Sequence, residues 1–136
     1  MSEPGPSRHT DIRTDHLTVL GQAVHEPIAH VECFATPPGC TRIRFTTDEL
    51  ASLCPVTRQP DLASVVIDYE PAELCVESKS LKLYLWSFRD RPIFAEALAV
   101  EIADEIATAA QPKRVTVTLR QRPRGGIGVE ATAERP

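Results

Sequence analysis

The stretch ESKSLKLYLWSF, residues 77–88, decides the fold because its apolar residues fit two different periods. Three leucines alternate as in a strand, whereas a second apolar set has the i, i+3, i+4, i+7 spacing of one helix face: Leu81, Tyr84, Leu85 and Phe88. The helical interpretation also places Lys79, Lys82 and Trp86 together on a second face. We therefore predict a helix here.

Strand patterns lie on both sides of this helix. Upstream, CTRIRFTT (residues 40–47) alternates with Ile43 and Phe45 on one face, and SVVIDY (residues 64–69) is a β-branched run. Downstream, RVTVTLRQ (residues 114–121) alternates as a third strand. RPRGGIGVEATA (residues 122–133) then predicts a glycine-containing hairpin turn and a fourth strand.

Two further helices are predicted. Thr46 to Glu49, TTDE, fits a capping box that opens a short helix through Leu53, which Pro55 would end. Pro92 suits the first turn of a longer helix that runs to about Ala110 and ends before Pro112. Its predicted buried stripe consists of Phe94, Leu98, Ile102 and Ile106.

The predicted order is therefore β-(short helix)-β-α-α-β-β, an α+β fold in which two helices cover one face of a four-stranded antiparallel sheet. Residues 1–28 are polar and rich in Pro, Gly and His, which predicts a mobile N-terminal extension before a single domain over residues 29–136. Both sheet edges lack partners, so we expect the chain to oligomerise.

Composition limits the function classes. The net charge of -4 argues against a nucleic-acid surface, and no run of about 18 apolar residues could cross a membrane. The N-terminus lacks the apolar core of a signal peptide, which predicts a cytoplasmic protein with reduced cysteines. The four cysteines have C-x6-C, C-x13-C and C-x20-C spacings, without the C-x2-C pair of a zinc site, so no metal is expected.

The segment LCPVTRQPD, residues 53–61, places a thiol and a carboxyl group on one proline-bounded loop. The thiolate of Cys54 is a candidate nucleophile, and a protonated Asp61 is a candidate proton donor. The helix predicted before Cys54 would present its C-terminal end, which does not activate a thiol, so activation would come from a neighbour or the substrate. On composition alone, Cys54 is more readily a small structural residue that ends a helix.

Two other segments have a functional and a structural interpretation. Lys79 and Lys82 either hold phosphate groups or form a solvated helix face, and Glu77 could accept hydrogen bonds from a heterocycle. PRGGIG, residues 123–128, either lets backbone amides and Arg124 approach a phosphate or forms a turn. This segment is not the glycine-rich fingerprint of a dinucleotide-binding fold, because that fingerprint opens a helix, whereas this segment precedes a strand.

The sequence resembles the short form of the 7-cyano-7-deazaguanine reductases, the QueF family, in four motifs that occur in the same order: LCPVTRQPD, ESKSLKLY, Phe-x-Glu and PRGGI. The resemblance covers about residues 32–132. It implies a tunnelling fold (T-fold), with the ring architecture of GTP cyclohydrolase I. Two stacked pentamers with active sites between subunits are expected. It also implies no direct nucleic-acid partner and no membrane.

The resemblance further implies that Cys54 attacks the nitrile of 7-cyano-7-deazaguanine and forms a covalent thioimide. Two NADPH molecules would then reduce this thioimide to the aminomethyl precursor of queuosine, with Asp61 as the proton donor. The residues that match the substrate-binding positions are Val76, Glu77, Ser78, Phe94 and Glu96. Those that match the groups for the NADPH phosphates are Lys79, Lys82 and Arg124.

One departure separates this chain from the family's usual Phe-His-Glu, because it has Phe94-Ala95-Glu96. The missing imidazole leaves two alternatives open. Relatives that resemble this fold add ammonia to a nitrile on transfer RNA and form an amidine, although ESKSLKLY favours the reductase. The other alternative is a non-catalytic paralogue that binds a deazapurine or a pterin.

Overall fold

The structure, a computed structural model, describes residues 26–136. Most of the predicted mobile extension, residues 1–25, lies outside this range. The elements, in chain order, are β1 (Cys33–Ala35), β2 (Ile43–Leu53), β3 (Pro60–Glu70), β4 (Leu74–Val76), α1 (Ser78–Trp86), α2 (Ala95–Ala110), β5 (Arg114–Arg124) and β6 (Ile127–Arg135).

The four long strands form one antiparallel sheet in the order β2-β3-β5-β6, as predicted from the four alternating segments. The Gly125-Gly126 turn between β5 and β6 has positive φ at both residues, a conformation that glycine adopts without strain. A second sheet of two strands pairs β1 with β4. This small sheet was not predicted, because three-residue strands are too short to show a period.

The helix predicted over residues 77–88 is confirmed as α1. Leu81, Tyr84 and Phe88 are buried, whereas Lys82 and Trp86 lie on the exposed side. The helix begins at a carboxylate cap, since both oxygens of Glu77 accept backbone N–H bonds within the first turn.

The short helix predicted from Thr46 through Leu53 is wrong, because these residues continue β2. Their backbone pairs with β3 on both sides of an irregularity between Thr47 and Leu50. At this bulge the Thr47 hydroxyl accepts a hydrogen bond from the Glu49 amide instead of capping a helix. Pairing with a neighbouring strand thus overrides the local helix signal.

The second long helix is confirmed, but it begins at Ala95 rather than at Pro92. Pro92 instead forms a bridge with Leu53. Phe94 is the N-cap residue and is 57% exposed, so its predicted place in the buried stripe is wrong. The rest of the stripe, Leu98, Ile102 and Ile106, is buried as predicted.

The core lies between the helices and one face of the sheet. Alternate residues of the central strands, Val65, Ile67 and Tyr69 on β3 and Val115, Val117 and Leu119 on β5, are almost completely buried. Strands β2 and β6 are the sheet edges, and neither has a further partner strand within residues 26–136. No helix in the described part of the chain is long and apolar enough to cross a membrane.

Candidate active site

Cys54 lies at the first position of the loop between β2 and β3, not after a helix. Its amide donates to the carbonyl of Gln59 and its carbonyl accepts from the amide of Arg58, both at 2.9 Å. Arg58 adopts a φ of 65°, an uncommon conformation outside glycine that strained functional loops contain. These bonds close residues 54–59 into a compact turn around the cysteine.

The turn stabilises the thiolate of Cys54. The Thr57 hydroxyl is the largest contributor, followed by hydrogen bonds from the amides of Thr57 and Val56, and by the charge of Arg124. Together they lower the pKa of the Cys54 thiol from 9.0 to about 7. The expected activation by a neighbour therefore comes from the loop itself, and a large fraction of the thiol is ionised at neutral pH.

Asp61 lies on the same face of the β2–β3 pair as Cys54. It is the register partner of Ser52, and alternation places Ser52 and Cys54 on one side of the strand. Asp61 is only 6% exposed. Its carboxylate forms an ion pair with the guanidinium of Arg124, which also donates to the side-chain oxygen of Gln59 at 2.6 Å.

The segment before α2 is joined to the same end of the sheet. The Leu53 amide donates to the carbonyl of Arg91 at 2.9 Å, and the Ile93 amide donates to the carbonyl of Leu53 at 3.1 Å. Phe94 and Glu96, both exposed, follow directly. The structure thus gathers five predicted site residues at one end of the sheet: Cys54, Asp61, Phe94, Glu96 and Arg124.

Val76, Glu77 and Ser78 lie at the other end of the sheet. They line a cavity of about 370 Å³ with Ile43 and Phe45, near the start of β2. Cys54 follows the end of that strand, and eight residues of strand from Phe45 to Leu53 span about 25 Å. Within one chain, the structure does not bring the Val76–Ser78 segment together with Cys54.

The carboxylate of Glu77 is engaged in the helix cap. One oxygen accepts from the Lys79 amide at 2.7 Å, the other from the Ser80 amide at 2.8 Å, and the residue is 6% exposed. Sequence reasoning singled out this residue for a heterocycle but missed its capping role. Its position just before a helical period was the available signal. A contact between Glu77 and a heterocycle stays a prediction.

Lys82 of α1, but not Lys79, is among the residues that line a cavity of about 490 Å³. Lys82 and the 36% exposed Trp86 line it from the helix, and Thr47 and Glu49 line it from β2. An ammonium group beside an aromatic surface fits the phosphates and the flat rings of a dinucleotide. Arg124 lies away from this cavity, at the Cys54 loop.

One further feature of the site escaped sequence reasoning. Thr57, three residues after the cysteine, is the main stabiliser of the thiolate, and a hydroxyl in a proline-bounded turn was the available signal. Ala95, where the family usually has histidine, is 3% exposed and packs in the core. Among residues 26–136, no cluster of three or more His, Cys, Asp or Glu side chains could hold a metal ion.

Comparisons with known proteins identify the family of the chain. The sequence profile of a family described as QueF-like protein matches residues 60–136. An NADPH-dependent 7-cyano-7-deazaguanine reductase of Nitrosospira multiformis is 48% identical over 92 residues, 68% of this chain and 66% of the relative. A reductase of the same name from Nitratidesulfovibrio vulgaris is 40% identical over 136 residues, 95% of this chain and 82% of the relative.

A solved structure is also similar, the archaeosine synthase QueF-Like in the apo form. The TM-score is 0.66 at 30% identity, covering 69% of this chain and 92% of that one. This likeness supports the α+β tunnelling fold that the sequence predicted. The sequence matches and the shared fold lead to one conclusion: the chain belongs to the QueF family, whose relatives include the NADPH-dependent 7-cyano-7-deazaguanine reductases.

Proposed function

We propose that this chain reduces the nitrile of 7-cyano-7-deazaguanine to the aminomethyl group of a queuosine precursor, using NADPH. The observation that carries the proposal is the Cys54 loop. It holds a thiol whose pKa is lowered to about 7 on the same face of the sheet as the buried Asp61. A nitrile carbon is an electrophile that a thiolate attacks, and relatives 40–50% identical are named for this reduction.

The first step is the addition of Cys54 to the nitrile. A bond forms between Sγ and the nitrile carbon, one π bond of the triple bond breaks, and the nitrogen takes a proton. The product is a thioimide. In this proposal the Cys54 thiolate attacks while Asp61, in its protonated form, donates to the nitrogen. Asp61 is then a carboxylate, the form that Arg124 stabilises.

The thioimide carbon has the same oxidation level as the nitrile carbon. Its reduction to the amine therefore needs four electrons, which two molecules of NADPH would supply. NADPH supplies hydride to the carbon that Cys54 holds. Lys79 and Lys82 on α1 are the residues that we assign to its phosphates, and Trp86 borders the same cavity as Lys82. The covalent bond to Cys54 would hold the carbon for the first hydride. The C–S bond must then break, which returns the Cys54 thiolate and leaves an imine, and a second hydride with a proton would convert this imine to the amine.

The substrate site is completed by a second copy of the chain. Phe94 and Glu96 lie near Cys54, whereas the Val76–Ser78 segment lies at the opposite end of the sheet. We infer that neighbouring subunits of a ring bring these two ends together, since both sheet edges are open within residues 26–136. We propose a decamer of two pentamers, with Glu96 bound to the guanidine-like edge of the substrate, in the cytoplasm.

The test is to mix the protein with the nitrile and NADPH, and to follow NADPH absorbance and the amine product. We expect two NADPH oxidised per amine. Cys54→Ala should abolish the reaction, whereas Cys40→Ala, a partly buried cysteine outside the site, should leave it intact. NADPH that stays unoxidised in the presence of a folded protein and the nitrile would rule out the reductase.

A second candidate is the amidine-forming reaction, which the 30% identical archaeosine synthase structure favours. It shares the thioimide on Cys54 but uses ammonia in place of hydride. Ammonia supplied with the nitrile and without NADPH distinguishes the two. Formation of an amidine, with no NADPH oxidation in a parallel reaction, would favour this candidate. A protein that binds the deazapurine but forms no adduct would favour the non-catalytic alternative.

A further inference from the structure

We propose that Arg124 is a positioning residue that acts on the Cys54–Asp61 pair rather than on the cofactor. The inference rests on the proposed function, because it assigns the control of the nucleophile and acid in that same site. Arg124 was predicted as a phosphate ligand from the PRGGIG segment. In the structure its guanidinium is engaged by the Cys54 loop.

The contacts of Arg124 tie one hairpin to another. One terminal nitrogen pairs with the Asp61 carboxylate, and the other donates to the Gln59 side chain at 2.6 Å. Gln59 is the residue whose carbonyl accepts the Cys54 amide. The strand end at Arg124 is thus joined to the β3 side of the loop that holds the nucleophile, directly before the Gly125-Gly126 turn.

Arg124 lies where its positive charge can act on both Cys54 and Asp61. The Asp61 carboxylate is 7% exposed and the Arg124 side chain 35%, so this ion pair is less screened by water than a surface pair. The same guanidinium also favours the thiolate of Cys54. One positive charge therefore stabilises both the Asp61 carboxylate and the Cys54 thiolate.

Arg124 therefore has a defined effect on the pH at which the Cys54 thiol ionises. Without Arg124, the Cys54 thiolate would lose the nearby positive charge, and the thiol would ionise only at higher pH. Without the Asp61 carboxylate, the unneutralised guanidinium would favour the thiolate at lower pH. A phosphate contact of Arg124 would instead show as a change in cofactor affinity, which is measured separately.

The test measures the pH profile of Cys54 alkylation by iodoacetamide, which needs neither the nitrile nor NADPH. We expect Arg124→Gln to move the profile to higher pH, Asp61→Asn to move it to lower pH, and Arg124→Lys to restore most of the wild-type profile. In an Asp61→Asn background, Arg124→Gln should have a different effect from its effect alone, because the two residues act as a unit. Arg120→Gln, which removes an exposed arginine of the same strand, is the matched control.

A second measurement separates the two roles of Arg124. Direct binding of NADPH, followed by its fluorescence, should differ by less than about twofold between wild type and Arg124→Gln, because a lost phosphate contact would cost roughly tenfold or more. An unchanged alkylation profile in Arg124→Gln, or a tenfold loss of NADPH affinity, would overturn the inference. Failure of the proposed function would show differently, as a wild-type enzyme that leaves the nitrile unreduced. Circular dichroism of every variant confirms that it is folded.

Discussion

The Ile93 amide donates a hydrogen bond of 3.1 Å to the carbonyl oxygen of Leu53, the residue directly before Cys54. This bond, with its counterpart from the Leu53 amide to Arg91, fixes the segment before α2 against the end of β2. The nucleophile and the first turn of α2 are therefore parts of one rigid unit. Glu96, in that first turn, has a defined position relative to Cys54.

Glu96→Gln should raise the KM for 7-cyano-7-deazaguanine by roughly tenfold or more, since a hydrogen bond to a charged acceptor is worth about 1.5–3 kcal/mol. Thermal stability should change little, because the Glu96 side chain is exposed. Steady-state kinetics and a melting curve check both. Glu130→Gln, an exposed glutamate on β6, is the control. Equal KM values in Glu96→Gln and wild type would contradict the assignment.

Thr57→Val should raise the pKa of the Cys54 thiol above about 7, because it removes the hydroxyl that stabilises the thiolate most. The thiolate fraction rises as pH increases through the pKa, so an upward shift lowers reactivity at neutral pH. A rise of about one unit reduces the thiolate at pH 7 roughly fivefold. Alkylation rates across pH measure this, and Thr57→Ser should behave like wild type. If the pH profile of Thr57→Val were the same as that of the wild type, the Thr57 hydroxyl would not stabilise the Cys54 thiolate.

Glu77→Ala should lower the free energy of unfolding by about 1–2 kcal/mol, because it removes the cap that accepts the amides of Lys79 and Ser80. Urea denaturation measures the loss. Glu73→Ala, an exposed residue before β4, should be neutral. If Glu77→Ala were as stable as wild type but lost substrate affinity, the residue would act through the ligand and not through the cap.

Subunits that are inactive for different reasons should complement each other if the site spans two copies. Cys54→Ala lacks the nucleophile, and Ser78→Tyr should block the opposite half of the site. Co-expressed in equal amounts, they should regain about a quarter of the wild-type activity, since a quarter of random interfaces carry both intact halves. A co-assembled mixture that stays inactive would place both halves in one chain.

The sequence predicted the four long strands and both main helices, because their apolar residues keep a clear period. It failed at Thr46–Leu53, where a local capping pattern competes with pairing to β3 over the whole strand. Such pairing depends on residues distant in sequence, which a local pattern does not contain. The Phe94 error has a similar origin, since the bond from Ile93 to Leu53 delays the helix start.

The site residues fall into two groups for the same reason. Cys54 and Asp61 lie seven residues apart across one short turn, so their proximity is predictable from spacing. The contact between Asp61 and Arg124 joins residues far apart in the chain through the pairing of β3 and β5. The separation of Ser78 from Cys54 is likewise a property of the folded sheet, and motif order alone does not reveal it.

The central claim is that Cys54 forms a thioimide that NADPH reduces. Intact-protein mass spectrometry after mixing with 7-cyano-7-deazaguanine tests it most directly. We predict a mass increase equal to that of the nitrile, mapped to Cys54, which disappears on addition of NADPH as the free amine is released. A folded wild-type protein that gains no mass, or an adduct on Cys54 that NADPH leaves in place, would contradict the account.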